Sequence, residues 1–438
     1  MKVLKFGGTS VGSAERMRAL PQLIVDGTPK IVVLSAMSGT TNALVEITIL
    51  ARQGKTVDAL AKIDLLAKKY DEVIAQLFDN QQNRNTAKEK IEPIFALLRE
   101  LVQGVPTLVQ ERTILAQGEL MSTMLQHLYL LEIGVNAVLL PALDFMRKDI
   151  TDEPDIYFIG EILKRDLARY SDCQLFITQG YICRNHKGEI DNLKRGGSDY
   201  TASIIGAAIG AEEVQIWTDI DGFHNNDPRV VQNTHSIPKL SFDEASELAY
   251  FGAKILHPTC VLPVQEAGIP LIIKNTMNPK AEGTRISNET DNDGTIKAVA
   301  AKDNITAVKI KSGRMLLAYG FLRKIFDVFE EYHTAIDMVS TSEVAVSLTI
   351  DDDKHLQDIE RVLQNFGTVE IDRNMTIVSV VGYKISESNG IAGRVFNTIQ
   401  NIPIRMISFG GSRHNIGFLV KHEDKKATLE ALNNLFKK

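Results

Sequence analysis

The chain is poor in the features that mark several large classes of protein. It has three cysteines, Cys173, Cys183 and Cys260, in 438 residues. An odd count without metal-ligand spacing excludes a full disulfide framework or a zinc cluster and points to reduced thiols in the cytoplasm. There is one tryptophan, and aromatics make up 6% of the chain. No apolar run is long enough to span a bilayer, and Met1-Lys2-Val3-Leu4-Lys5-Phe6 enters a strand without the apolar stretch of a signal peptide. Basic charge is not in excess: the formal charge of −6 with no basic tail argues against nucleic acid as the main partner. Hydrophobic content of 44% and charged content of 24% are those of a soluble globular protein large enough for two to four domains.

What is present is a series of strand–turn–helix units. Val3–Phe6 reads as a buried strand ending in Gly7-Gly8-Thr9-Ser10, with a helix near Ala14–Leu23. Lys30–Ser35 is a continuous apolar strand of the kind buried in parallel sheets, followed by Ala36 to Asn42 and another helix. Residues 57–104 are helical and charge-rich, and Thr107–Leu131 keeps helical spacing, so that about 57–132 form a helical subregion. Further strands are expected at Asn136–Leu140, Leu175–Ile182, Glu213–Thr218 and Leu271–Lys274, with helices at Thr201–Ala211 and Phe242–Leu256. The alternation predicts an α/β fold with a mostly parallel sheet, whose ligands bind beyond the carboxyl ends of the strands.

Gly283 to Gly294 is polar and reads as a linker. Beyond it the units shorten. Strands are expected at Ile305–Ile310, Ala335–Val339, Val344–Ile350, Thr376–Tyr383, Ile404–Phe409 and Ile416–Lys421. Helices are expected at Phe321–Tyr332, Leu356–Phe366, Gly390–Ile399 and Ala427–Phe436, giving a duplicated sheet-and-helix module.

Several stretches could carry chemistry. In Lys194-Arg195-Gly196-Gly197-Ser198-Asp199, two glycines before a helix let backbone N–H groups approach an anion, Arg195 can grip a carboxylate or phosphate, and Asp199 offers the opposite sign. An ordinary capped helix start is the competing reading. Lys5 beside Gly7-Gly8 can place a point charge on phosphates, though the spacing is not that of the nucleotide-hydrolase phosphate loop. Glu119 stands among apolar neighbours, and a buried carboxylate needs a cationic partner, from a substrate or from a structural Arg or Lys. Thr218, Asp219 and Asp221, with Asp227 and Arg229 close behind, could serve Mg²⁺ and nucleotide or be a polar turn. Lys254 is a surface lysine unless phosphate reaches it.

Together these residues resemble the aspartate kinase branch of the amino acid kinase family. The resemblance is carried by Lys5 to Val11, Ser35 to Asn42, Gln117-Gly118-Glu119, Arg195 to Asp199, Trp217 to Gly222, Ser241 to Ala245 and Phe251 to Pro258. The tail is similar to that family's paired ACT regulatory domains, most clearly at Thr341 to Ser347. The resemblance implies a kinase domain over 1–290 and ACT units over 300–372 and 373–438, with strands that can interleave. It implies transfer of the ATP γ-phosphoryl group to the side-chain carboxylate of L-aspartate, with Mg²⁺ arriving on the nucleotide and no separate metal site.

By that resemblance Lys5 and Asp199 are catalytic. Ser35, Thr41, Glu119, Arg195, Gly197 and Ser198 hold aspartate. Lys5, Gly7, Gly8, Thr218, Asp219, His224, Asp227, Arg229 and Lys254 hold ATP, with His224 standing where the family shows Tyr. Met315, Gly320, Phe321, Asp337 and Thr341 form an effector site for an amino acid, lysine being expected, although Leu317 and Tyr319 replace the His and Arg of lysine-inhibited members. A homodimer or homotetramer through the ACT units is implied, in the cytoplasm, without nucleic-acid or membrane partners. No dinucleotide-binding unit follows the ACT region, so a fused homoserine dehydrogenase is not expected. The alternatives are a catalytically silent amino-acid sensor and a kinase of the same fold for another acidic amino acid.

Overall fold

The computed structural model describes residues 1–193, 196–252, 255–288, 295–315 and 319–436. The chain divides into two compact units, Met1–Gly222 with Leu256–Asn288, and Phe223–Ile255 with Glu289–Lys438.

The first unit is built on a sheet in which Ala137–Leu140, Leu175–Gln179, Lys30–Leu34, Lys2–Phe6, Val214–Thr218 and Leu271–Asn275 lie side by side in that order, all parallel. Every residue of Lys30–Leu34 is buried, as a central strand covered on both faces requires. Thr284–Ile286 adds an antiparallel strand against Leu271–Asn275. It falls in the stretch read from composition as a linker. Gly283 makes the turn possible, because its φ of +78° is left-handed and a Cβ there would stand 2.0 Å from the Ile273 carbonyl oxygen. Residues 289–294 of that stretch lie outside the described residues. The strand expected over Leu175–Ile182 stops at Gln179, and Ile182–Arg184 turns back into a small hairpin with Ile190–Asn192.

The helical subregion consists of Thr56–Leu77 and Gln81–Leu101, which meet through an edge-to-face Tyr70–Phe95 contact at 5.9 Å, and Leu108–Glu132. Thr107 and Gln110 close a capping box at the start of the last. Gly118 lets this helix press on the loop after Lys30–Leu34: a Cβ there would lie 2.8 Å from the Ala36 Cβ.

The second unit carries a six-stranded sheet in the order Val339–Thr341, Ala345–Ile350, Ala298–Lys311, Thr368–Val381, Asn415–Lys421 and Met406–Phe409, all neighbours antiparallel. Two central strands of 14 residues run through both halves of the sheet. Helices Phe321–Glu331 and Leu356–Leu363 pack Ile325, Phe329, Ile359 and Leu363 on one half. Ile391–Thr398 and Lys425–Leu432 pack Val395 and Leu429 on the other. The strand expected at Ala335–Val339 begins only at Val339.

Helix Phe242–Tyr250, opened by the Ser241–Glu244 capping box, belongs to this unit and ends six residues before the expected Leu256. The cause is Gly252, whose φ of +124° and approach to the Ala301 carbonyl, 2.0 Å from where a Cβ would be, no helical residue could match. Buried Glu244 pairs with Lys297 at 3.1 Å, and Glu247 and Tyr250 hydrogen-bond Asn415 and Asp337.

Candidate active site

Four strands of the first unit, ending at Phe6, Leu34, Gln179 and Thr218, deliver their following loops to one cavity of about 520 Å³. Its wall includes Lys5, Gly8, Thr9, Ser35, Ser38, Gly39, Thr41, Asn42, Glu119, Tyr181, Gly197, Ser198, Asp199, Thr218 and Asp219. Five of the segments singled out in the sequence, Lys5 to Val11, Ser35 to Asn42, Gln117 to Glu119, Arg195 to Asp199 and Trp217 to Gly222, thus send residues to one wall although more than two hundred residues separate Lys5 from Asp219.

Two helices start at this wall. Thr40–Arg52 begins at Gly39 and Gly197–Ile209 at Gly196, both with left-handed N-caps and no side-chain cap. Their first amide N–H groups therefore have no side-chain acceptor, and each helix start carries about half a positive charge. An anion in the cavity would satisfy both. The glycines at the second start are sterically required: a Cβ on Gly197 would stand 2.4 Å from the Tyr181 ring, and one on Gly196 2.6 Å from Cys260 Sγ. Burial pushes the Cys260 thiol well above its usual range, which makes it a packing residue.

Lys5 and Asp199 meet across the cavity with Nζ 2.6 Å from Oδ1. Both side chains are mostly buried, so the pair holds its charges at short range away from bulk water. The Gly7 N–H donates to the Trp217 carbonyl at 3.3 Å, and Gly7 is not in the cavity wall, so Gly8 is the member of the pair that faces it.

Glu119 is 3% exposed, and its Oε2 has no hydrogen-bond partner. Burial pushes its carboxyl up to about 8, a rise that the backbone N–H groups of Ala36 and Glu119 and the Lys5 charge only partly offset. A buried carboxyl with an empty oxygen, opening on a cavity, is a receptor for a cation. Ser122 Oγ donates to the Ser35 carbonyl at 2.7 Å, tying the Glu119 helix to the loop that carries Ser35.

Tyr181 was missed by sequence reasoning. It lines the cavity with a φ of +67°, unusual for a bulky residue, its hydroxyl accepts from Asn192 at 3.0 Å, and its N–H donates to Thr201 Oγ1 at 2.9 Å. The preceding Gly180 was the available signal: a Cβ there would overlap Ser198 at 2.5 Å, so chain and helix start touch at that point.

Other expected site residues are placed differently. Arg195, Lys254 and Leu317 lie outside the described residues. His224, Asp227 and Arg229 belong to the second unit. There Arg229 grips both oxygens of Asp227 at 2.9 and 2.8 Å, and His224 Nδ1 lies 3.1 Å from Thr234 Oγ1. Burial would raise the Asp227 carboxyl, but Arg229 holds it below its ordinary value.

Of the expected effector residues, Met315 closes a short 3-10 turn and Thr341 lies exposed on an edge strand. Phe321 stacks edge-on against Phe366 at 6.4 Å, and Gly320 is a left-handed, uncapped start of the helix that follows it. Asp337 already has protein partners: its Oδ1 contacts Lys302 at 2.7 Å and Tyr250 at 2.8 Å, while Oδ2 is buried without one. Tyr319 is fully exposed.

Comparison with known proteins decides the family. The amino acid kinase family model matches residues 1–275, and an ACT domain model matches 378–436. Lysine-sensitive aspartokinase 3 of Escherichia coli is 34% identical over 455 residues, covering 99% of both chains.

The chain belongs to the amino acid kinase family, in its aspartokinase branch.

Aspartokinase 1, chloroplastic, of Arabidopsis thaliana is also 34% identical, covering 99% of this chain and 80% of that one. The crystal structure of E. coli aspartokinase III with lysine and aspartate superposes with a TM-score of 0.84 at 33% identity over 100% of both chains. The same enzyme with aspartate and ADP gives 0.84 at 32%, covering 100% of this chain and 99% of that one. The α/β kinase fold and the regulatory region expected from sequence are therefore present in this aspartokinase. No helix among the described residues is long and apolar enough to cross a membrane.

Proposed function

We propose that the cavity binds L-aspartate and ATP and transfers the γ-phosphoryl group to the side-chain carboxylate, forming 4-phospho-L-aspartate. The observation that carries this reading is the buried Glu119 carboxyl, with one oxygen unpartnered, beside the Lys5–Asp199 pair and two uncapped helix starts. One carboxylate awaits an ammonium and several positive groups await anions, which is the charge pattern of a zwitterionic acid meeting a polyphosphate.

In this scheme Glu119 takes the α-ammonium and Arg195 the α-carboxylate, while Ser35, Thr41, Gly197 and Ser198 orient the reacting end. Lys5 follows the phosphoryl group as charge moves toward the acceptor oxygen, and Asp199 fixes the Lys5 ammonium. Positioning and charge neutralisation supply the rate, because phosphoryl transfer needs no covalent nucleophile from the protein. Gly8, Thr218 and Asp219 face the nucleotide.

Among the described residues no cluster of three acidic, His or Cys side chains could cage a metal. A Mg²⁺ would enter on the triphosphate and keep most of its water shell, with Asp219 and Asp199, two carboxylates of the cavity wall, available to it. Bound there, the ion would neutralise the phosphate oxygens. Three buried free thiols support a cytoplasmic setting.

Regulation follows the same logic. Lysine is the proposed effector, its carboxylate met by the uncapped helix start after Gly320 and its ammonium by Asp337, where it would compete with Lys302. The sheet's edge strands, all-exposed Val339–Thr341 and Met406–Phe409 with Ile407 and Phe409 each more than two-fifths exposed, support pairing of two chains through the regulatory units.

The test of the catalytic reading is substrate discrimination. ADP release should be supported by L-aspartate and fall at least a hundredfold with N-acetyl-L-aspartate, which lacks the ammonium, since a site built for a buried charged group rejects its absence by about that factor. Equal rates with both acids would remove Glu119 from the scheme.

A further inference from the structure

Helix Thr56–Leu77 belongs to the subregion whose chemistry the motifs leave unexplained, yet two consecutive residues of it touch the turn and helix start at Ser38–Thr40. Tyr70 is fully buried and its hydroxyl lies 3.1 Å from Thr40 Oγ1. Lys69 Nζ donates to the Ser38 carbonyl at 2.6 Å and stands 3.6 Å from where a Cβ on Gly39 would be. Ser38 and Gly39 both line the cavity, and Gly39 is the uncapped start of helix Thr40–Arg52. The Lys69 ammonium therefore sits beside a helix end of its own sign.

Three cations of the two long helices find carboxylates: Lys62 meets Glu46 at 2.9 Å, Lys88 meets Asp71 at 3.2 Å, and Arg99 meets Asp64 at 3.2 Å. Lys68, Arg84 and Lys90 have none within 4.0 Å among the described residues, and what sets Lys69 apart from them is its place at the start of helix Thr40–Arg52. Within the cavity Lys5 is neutralised by Asp199. For Lys69 no carboxylate among the described residues lies within 4.0 Å, and burial draws its ammonium below the ordinary lysine range with no opposing charge. An ammonium has three donors, and the Ser38 carbonyl uses one. A half-buried cation next to a positive helix end is a cost in the empty protein, and an anion between the two would reverse it.

We propose that Lys69 is an anion-binding residue of this cavity, its ammonium neutralising phosphoryl oxygens held at the start of helix Thr40–Arg52. The inference rests on the phosphoryl-transfer reading above and deepens it: the helical subregion contributes a charge to the site. Binding of the anion fastens helix Thr56–Leu77 to the Ser38–Gly39 turn through Lys69.

The experiment titrates magnesium pyrophosphate into the full-length wild type and into Lys69→Met, Lys69→Gln and Lys69→Arg, with melting temperatures measured alongside. Loss of a charge-assisted contact should weaken binding about tenfold or more in the Met and Gln variants, while Arg stays within about threefold of wild type. Gln separates charge from mere pinning of the turn, since it can still donate to a carbonyl. Wild-type affinity in the Gln variant overturns the proposal, as does a wild type that does not bind pyrophosphate. If Met lowers the melting temperature, the Gln and Arg variants decide. Aspartate phosphorylation by wild type with unchanged pyrophosphate binding in all variants sinks Lys69 alone. Lys69-dependent pyrophosphate binding in a protein that does not phosphorylate aspartate sinks the proposed function and leaves this inference standing.

Discussion

Replacing Glu119 with Gln keeps the shape of the side chain and removes its charge, and two consequences can be worked out. The first is affinity. A hydrogen bond to a charged group contributes about 1.5–3 kcal/mol, so aspartate should bind about 10- to 150-fold more weakly while ADP affinity holds. The second concerns protons. In the folded protein the carboxyl titrates near 8 against an ordinary value of 4.5, so between those values the unfolded chain binds fewer protons than the folded one. Wild-type stability should then fall as pH rises from about 4.5 to 8, by a ceiling of roughly 5 kcal/mol at 1.36 kcal/mol for each pH unit. Glu119→Gln should lack that component. Substrate ammonium favours the charged carboxylate, so aspartate binding should expel a proton at pH 6–7 and tighten toward pH 8. Calorimetry of aspartate binding in two buffers of different ionisation enthalpy reads that proton directly. Refutation would be aspartate binding by wild type with no proton release and no pH dependence over this range, or a Gln variant that binds like wild type.

Three further outcomes are expected. Lys5→Met should lower kcat by about 10²–10³, the effect of removing one preorganised donor at a developing charge, with both KM values changed little; an equal loss of ATP binding in calorimetry would make Lys5 a ground-state contact instead. Gly197→Ala puts a methyl 2.4 Å from the Tyr181 ring, so kcat/KM should collapse and unfolding should cost about 1–3 kcal/mol less, measured by thermal melting; wild-type activity in this variant would show that the turn can relax. Lys297→Met leaves the fully buried Glu244 without its ion partner and should destabilise the second unit by about 3–5 kcal/mol in denaturant titration, which adding Glu244→Gln should largely restore.

Much of the fold could be read from local pattern, because the strands of the first sheet are short, mostly apolar runs followed by glycine-bearing loops. The errors fall where long-range contacts overrule composition. Thr284–Ile286 looks polar, yet it alternates buried and exposed residues beside strand Leu271–Asn275. The strand Ala298–Lys311 was legible only in its second half, since Lys302-Asp303-Asn304 interrupts the apolar run. The structure absorbs that interruption as a register shift, with Asn304 at a φ of +60°. Helix Phe242–Tyr250 stops where a carbonyl of another strand approaches Gly252, which no helical periodicity announces.

The site divides in the same way. Lys5, Glu119 and Asp199 were legible as charges at unusual places, and the structure brings them to one cavity. That Glu119 has an empty oxygen and Lys5 a carboxylate partner is a property of packing between segments more than a hundred residues apart. Tyr181 and Lys69 had no motif of their own, since each matters through what the fold sets beside it.

The central claim is that this cavity phosphorylates the side chain of aspartate, and trapping the product tests it most directly. The protein is incubated with MgATP, hydroxylamine and a panel of L-aspartate, L-glutamate, N-acetyl-L-glutamate and D-aspartate, and the acyl hydroxamates are separated and weighed by mass spectrometry. The account predicts β-aspartyl hydroxamate from L-aspartate, formed in step with ADP, little from the other acids, and almost none from Glu119→Gln at the same aspartate concentration. ADP formation without any hydroxamate, or a hydroxamate from glutamate or its acetylated form in preference to aspartate, would contradict it.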